Sequence, residues 1–521
     1  MTAAQDFLRN AATKSADLVH RQILRRGIDH YDAAVRNGRA RFLDWQAARE
    51  KCQSIKRDAV NHLDRYLEEF EQHVKERGGH VFWAENAEEA RRYILDLAAS
   101  RGVRTIVKSK SMVAEEIHLA AALEKQGIQV FETDLGEFIV QLRNEPPYHI
   151  VTPAMHLTRQ DIAALFKEKL GGIDTDDPQQ LVAAARQALR RAFFTAEMGI
   201  TGANFLVADS GMVSITTNEG NADLGITLPK IHVVLSGIEK IIPRMDDLAI
   251  LLPVLASSGT GQPITCYNTM VGGARGPNEL SGPEEFHVVL LDNGRTELLA
   301  DPEQREVLHC IRCGACLNAC PIYRNVGGHT YATTYQGPIG SVLTPHLRGL
   351  DEFQHLSQAS SLCGACTEAC PVKIDLHHHL LHNRRNAVER AHRLWQERVA
   401  FKIWRWSMSG AGRFGFLGAI GRKALRVCYA LGLEGTFLDP LRAWTKDRAA
   451  PPIPTTSFRA LWKEQDGANR KSRARANSRT HQNGAEDACE NSHCARACEH
   501  VAADLRADSR RAGKIPPRMR R

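Results

Sequence analysis

The stretch that decides how this chain is read is Cys310-Ile311-Arg312-Cys313-Gly314-Ala315-Cys316-Leu317-Asn318-Ala319-Cys320-Pro321. Its spacing is C-x2-C-x2-C-x3-C-P, a run that wraps three thiolates around one cubic iron-sulfur cluster and throws the fourth toward another. Gly314 permits the tight backbone that such a loop requires. Downstream the pattern returns as Ser360-Ser361-Leu362-Cys363-Gly364-Ala365-Cys366-Thr367-Glu368-Ala369-Cys370-Pro371, with serine in the leading position. Crossing the fourth cysteines assigns Cys310, Cys313, Cys316 and Cys370 to a first [4Fe-4S] cluster, and Cys320, Cys363 and Cys366 to a second. The second lacks one thiolate. A [3Fe-4S] cluster, a [4Fe-4S] cluster with an oxygen or water ligand, or a cysteine from elsewhere would each satisfy that count. Ser360, Ser361, Cys489, Cys494 and Cys498 are the candidates.

Of thirteen cysteines, seven fall between Cys310 and Cys370, and only Cys52 and Cys266 precede them. Grouped thiols in a long chain without a secretory signal point to metal rather than to disulfides. A zinc site is complete with four sulfurs, so seven with two Cys-Pro endings exceed it. Two clusters imply one-electron relay; neither removes a hydride, so two-electron chemistry needs a partner or a bound cofactor. Cys52, Cys266 and Cys428 stand singly among apolar neighbours and read as core residues. The run Asp375-Leu376-His377-His378-His379-Leu380-Leu381-His382 reads as a solvated helix face behind an Asp cap.

The length, 521 residues, favours two to four folded units, and 43% hydrophobic with 25% charged residues is a globular composition. No apolar run reaches the roughly 20 residues of a membrane span, and residues 1–26 scatter Arg, Asp and His through their apolar positions, unlike a signal peptide. The expected location is the cytoplasm. The formal charge of +8 hides an asymmetry: residues 470–521 hold 13 Lys plus Arg against 6 Asp plus Glu, leaving 55 against 54 elsewhere. The body is neutral, so no nucleic-acid partner is expected.

Residues 1–74 read as an N-terminal helical arm, 75–300 as an α/β domain, 301–385 as the cluster module, 386–466 as a C-terminal helical region and 467–521 as a basic, disordered tail. Strands are expected over 104–108, 128–131, 148–152, 204–208, 212–216, 231–236 and 286–291, the last turning back through an Asn293-Gly294 hairpin. A helix is expected over 112–123, and another opens at Asp177-Pro178 with Gly199 as its stop. The aromatics Trp395, Phe401, Trp404, Trp406, Phe414 and Phe416 are expected in a helix core, with docking on a partner or a membrane surface as the rival use. No dinucleotide or P-loop fingerprint occurs. The stretch Lys108-Ser109-Lys110-Ser111 suits an anion-holding helix start or a plain serine cap. His156, Glu137 and Glu239 stand alone in sequence, with nothing pairing them into an acid-base team.

The runs 310–323, 327–343 with Tyr335-Gln336-Gly337-Pro338-Ile339-Gly340, and 362–374, together with 107–112, 135–138 and 217–221 upstream, carry a resemblance. From the N-terminal arm to about Trp462 the chain resembles the LutB-type L-lactate utilisation iron-sulfur family. The resemblance implies a LUD domain of NagB/RpiA/CoA-transferase-like α/β fold, joined to an α-helical ferredoxin-type module with two [4Fe-4S] clusters. It implies the ligand division given above, and makes the three-cysteine second site a family feature. The implied role is electron transfer within an L-lactate-oxidising complex, lactate going to pyruvate, alongside the other subunits of the lactate utilisation system and redox donor and acceptor proteins. That work would proceed in the cytoplasm or against the inner face of the cell membrane. No catalytic residue is assigned. The rival function is a self-sufficient enzyme acting on a CoA ester or sugar phosphate, with Glu219 as carboxylate nucleophile and purely structural clusters.

Overall fold

The computed structural model describes residues 2–171, 174–390, 395–445, 448–449 and 452–468. Cys489, Cys494, Cys498 and nearly all of the expected basic tail lie outside the described residues.

Short β-branched runs separated by amphipathic helices build a six-stranded sheet from β1 (His80–Ala84), β2 (Thr105–Lys108), β3 (Gln129–Glu132), β4 (Met198–Thr201), β7 (Ile231–Gly237) and β10 (Glu285–Leu291). The order is β1-β10-β7-β4-β2-β3, and every pairing is parallel. A parallel sheet must be covered on both faces, which is why β4 and β7 are buried along their whole length. A second sheet, β8-β5-β6-β9, pairs β5 (Phe205–Val207) with β6 (Met212–Thr217) as a hairpin, with β8 (Ile241–Ile242) and β9 (Tyr267–Val271) at its edges.

Four sequence expectations change. Gly199 does not stop the helix Pro178–Thr195, which Asp177 caps as expected; it lies inside β4. A Cβ there would meet the carbonyl oxygen of Gly225 at 1.8 Å, so glycine lets the helix Asn221–Thr227 lie against the strand. Asn293 and Gly294 do not close a hairpin: both are left-handed, and they open the helix Arg295–Ala300, whose Thr296 N–H donates to Asp292. Residues 148–152 form no strand. Pro146, Pro147 and Pro153 bring no N–H to a ladder, and the Tyr148 N–H donates to the Pro153 carbonyl at 2.8 Å to close a loop. The helix expected over 112–123 breaks into Met112–Glu116 and Leu119–Glu124 around left-handed His118.

The chain divides into two compact units, one ending at His392 and the other beginning at Arg393. In the first, the helices Ala3–Ala16, Leu18–Arg39 and Trp45–Asn61 are amphipathic, and they spend their apolar faces on the cysteine module and on the helix Leu248–Gly259. Leu24, Ile28, Cys52 and Ile55 share one buried cluster with Leu251, Val254, Cys313, Cys316 and Leu317. In the second unit, the helices Trp395–Met408 and Ala411–Ala430 bury no described side chain. Trp395 (71% exposed) and Phe416 (68%) face outward, which overturns the expectation of a helix core: among the described residues these helices carry a large exposed apolar surface.

Candidate iron-sulfur site

The two cysteine motifs fold alike because each asks the same of its backbone. Arg312 and Leu362 are both left-handed, at φ 61° and 54°. Two residues later Gly314 and Gly364 sit at φ 80° and 81° and open the short helices Ala315–Ala319 and Ala365–Ala369. Cys320 and Cys370 leave those helices extended, both at ψ 119°. The left-handed region costs a side-chain-bearing residue about 1 kcal/mol, so the turn is held by what it encloses rather than by local preference.

The seven expected ligands fall into two neighbouring sets. Burial pushes the Cys370 thiol up, and the charges of Cys313 and Cys310 push it further. Burial likewise raises Cys316, with Cys310, Cys313 and, more weakly, Cys366 beside it. Cys313 is pushed up to about 12 by burial. Cys366 is pushed up to about 11, first by burial and then by Cys320, with Cys363 also near. Backbone N–H groups turn toward the sulfurs: Arg312 N donates to Cys310 Sγ and Ile374 N to Cys370 Sγ, both at 3.4 Å. Burial and their neighbours disfavour the thiolates, so these cysteines stay protonated unless a metal binds them, and an all-sulfur donor set suits iron-sulfur clusters.

The ground beside Cys310 is prepared for negative charge. Lys56, which burial lowers to about 7, lies buried there with Lys240, Arg295 and the Arg312 side chain, and the carboxylates paired with them among the described residues are Glu116 and Glu239. Arg295 bridges Glu116 at 2.8 Å and Glu239 at 2.6 Å, and Arg312 reaches Glu239 at 3.1 Å. Lys56 Nζ donates to the carbonyls of Glu239 (2.6 Å) and Ile241 (3.0 Å). Burial would raise the Glu239 carboxyl, but Arg295 and Arg312 hold it down at about 2. The Lys240 ammonium has no hydrogen bond or ion pair among the described residues, and burial with Arg312 nearby lowers it to about 8. A surplus of buried positive charge calls for a compensating anion, and a thiolate at Cys310 would supply one. Arg49 donates to the Cys370 carbonyl through Nε (3.0 Å) and Nη2 (2.8 Å), and Arg39 to that of Ala369 (3.2 Å).

The second set is more open. Cys363 is exposed, and the cation nearest Cys320 is Arg324, itself shared with Asp29 and Asp32. His379 departs from the solvated face expected of its helix: it is buried and meets Glu306 at 3.1 Å, whereas His377 and His378 pair with Asp375.

A cleft of about 540 Å³ lies between the α/β domain and the first set, lined by Lys110, Glu219, Lys240, Arg312, Cys313 and Tyr335 among others. Burial and the nearby Asp134 raise Glu219, which accepts from the Leu135 N–H at 3.2 Å. Of the two readings of residues 108–111, the serine cap holds: Ser111 Oγ accepts from Ala114 N, while Lys108 is buried between Glu132 (2.8 Å) and Glu115 (3.2 Å). The residues that stood alone in sequence have acquired partners. Glu137 is raised to about 8, by burial and then by Glu132; His156 meets Glu145 at 2.9 Å; Glu239 has its arginines. Sequence reading missed Arg39, Arg49, Lys56, Lys240 and Arg295. Only Arg312 carried a signal, as the one charged residue inside the first loop.

A LUD domain matches residues 67–291, and a 4Fe-4S dicluster domain matches 306–374. The chain is 44% identical over 422 residues to lactate utilization protein B of Bacillus thuringiensis (strain Al Hakam), covering 81% of this chain and 89% of that one. To the protein of the same name from Bacillus cytotoxicus it is 45% identical over 426 residues, with the same coverage. The thiol-rich module is therefore an iron-sulfur domain carried beside a LUD domain, and the chain belongs to the lactate utilization protein B family.

Proposed function

We propose that this chain is the electron-transfer subunit of an L-lactate-oxidising complex, with a NagB/RpiA/CoA-transferase-like α/β domain over 75–300 and a two-cluster module over 301–385. The observation that carries the reading is the grouping of seven thiols into two adjoining sets, one of them embedded in a surplus of buried cations. Cys310, Cys313, Cys316 and Cys370 would hold one [4Fe-4S] cluster, and Cys320, Cys363 and Cys366 the other. When bound, the clusters supply one-electron exchange at potentials set by ligands, hydrogen bonds and burial. The chain's own residues orient and insulate. Arg312 N and Ile374 N donate to sulfur, Arg312 and Lys240 offset negative charge, and Arg49 and Arg39 pin the loop carbonyls. Lactate gives up two electrons and two protons on becoming pyruvate, so removal of its C–H hydrogen falls to another subunit or an organic cofactor, and this chain takes the electrons singly. Anaerobic reconstitution followed by iron and acid-labile sulfide analysis tests the reading. A protein that binds neither refutes it, as does unimpaired growth on L-lactate of a deletion strain without a substitute dehydrogenase.

The second unit suits work at the inner face of the cell membrane. No helix among the described residues is long and apolar enough to cross a bilayer. The helices Trp395–Met408 and Ala411–Ala430 nevertheless expose Trp395, Trp404, Trp406 and Phe416 and carry seven Lys plus Arg against one Glu, the make-up of an interfacial helix on anionic lipid. Co-sedimentation with phosphatidylglycerol vesicles but not phosphatidylcholine vesicles is the expected result. One observation favours the rival enzyme: Glu219 and Cys313 line the same cleft. Turnover of a CoA ester by the isolated chain, abolished in Glu219→Gln, would favour that reading over electron transfer.

A further inference from the structure

The second loop repeats the first so closely that the residue standing in for its absent cysteine can be located. Cys310 heads the first loop, and the N–H of Arg312 points back at its sulfur from 3.4 Å. Ser360 heads the second, and the N–H of Leu362, the residue equivalent to Arg312, points back at Ser360 Oγ from 3.1 Å. Both donors are left-handed, and the shorter distance is what the smaller oxygen atom requires. Ser360 is also anchored through its backbone: its N–H donates to the Gln358 carbonyl at 2.9 Å, and its carbonyl accepts from Arg384 Nη2 at 3.0 Å. Two other described cysteines of the first unit lie elsewhere. Cys52 is buried beside Asp247, and the N–H of exposed Cys266 faces Asn218.

We propose that Ser360 Oγ is the fourth protein ligand of the cluster held by Cys320, Cys363 and Cys366. The inference rests on the two-cluster reading above. Binding forms one oxygen–iron bond and releases the hydroxyl proton to solvent, which has access because Ser360 is only half-buried and Cys363 is exposed; no electron moves in this step. Oxygen is a harder donor than thiolate and a poorer match for cluster iron, so this corner is the one from which oxidation extracts an iron. The two sites would thus differ by design, one closed by four sulfurs and one with a single replaceable corner.

The test uses the full chain, anaerobically reconstituted with Mössbauer-active iron, as native protein, Ser360→Ala and Ser360→Cys. The native spectrum should contain one iron subsite distinct from the rest. Ser360→Cys should merge that subsite with the thiolate-bound irons and suppress the [3Fe-4S] EPR signal that ferricyanide produces. Ser360→Ala should alter the distinct subsite and speed oxidative iron loss roughly threefold or more. The four-cysteine cluster serves as internal control and should be unchanged in all three proteins, which separates ligand loss from misfolding. Identical subsite spectra and iron-loss rates in native protein and Ser360→Ala would overturn the proposal. Absence of any cluster from the native protein would instead overturn the two-cluster reading.

Discussion

The first cysteine loop and its repeat share a backbone and differ in almost everything around it. Gly314 is walled in, since a Cβ there would meet Val151 Cγ2 at 2.9 Å and His149 at 3.4 Å; the equivalent Gly364 has nothing within 4 Å. Lys56, Lys240 and Arg312 lie near Cys310, whereas the second set has exposed Cys363 and an arginine already shared with two aspartates. Local sequence therefore dictates how a loop wraps, while elements from the rest of the chain dictate how much charge it can hold and how much water it sees. Two sites of one ancestry in conformation become one sealed and one accessible.

That contrast can be broken most forcefully at the ligands. Cys316→Ser should cost the first set its iron and strand the surrounding cations, a loss of several kcal/mol that should unfold much of the module. Cys363→Ala should remove only the second cluster and leave the melting temperature within a few degrees of native. Iron analysis beside thermal circular dichroism distinguishes these outcomes, and equal effects from the two variants would erase the asymmetry.

Next in size is the carboxylate that joins the arginines. Glu239→Gln leaves Arg295 and Arg312 buried with one partner fewer, and should destabilise the protein by roughly 3–5 kcal/mol in denaturant unfolding. Acid supplies a third probe. His149 Nδ1 accepts from the N–H groups of Val151 (3.0 Å) and Thr152 (3.3 Å), and burial lowers the ring to about 3. The folded value lies below the unfolded one, near 6.5, so the unfolded chain takes up the proton first. The contribution is complete above pH 6.5 and is lost as pH falls toward 3, by about 1.4 kcal/mol per unit. A His149→Asn variant should flatten that slope in melts recorded between pH 6.5 and 4.5, while a Gly364→Ala variant should keep it. The smallest effect compares the glycines themselves. Gly364→Ala should cost about 1 kcal/mol from its positive φ alone, and Gly314→Ala measurably more because it also strikes Val151.

The iron-sulfur module was legible in the sequence because its cysteine spacing is local: each loop closes within eleven residues of its first position. The strands over 231–236 and 286–291 were legible for a similar reason, as short β-branched, largely apolar runs buried on both faces. What escaped was everything brought together across the chain. Lys56 reaches the Glu239 carbonyl over 183 positions and Arg49 the Cys370 carbonyl over 321, and nothing near either residue announces its destination. Glycines misled where tertiary contact overrode local preference: Gly199 reads as a helix stop, but its lack of a side chain serves the packing of a helix on β4. The aromatic stretch after Trp395 misled in the opposite sense, since apolar periodicity says which face is greasy without saying what covers it.

Arg39 touches the carbonyl of Ala369, 330 positions later, and this has a meaning for synthesis. A ribosome adding roughly 5–20 residues per second needs some tens of seconds to travel between them. Throughout that interval Arg39 lacks this acceptor, although the opening helices already have Leu251 and Val254 to pack against. A segment made early thus becomes the latch on the cysteine loop at 360–371, before residues 372–521 follow.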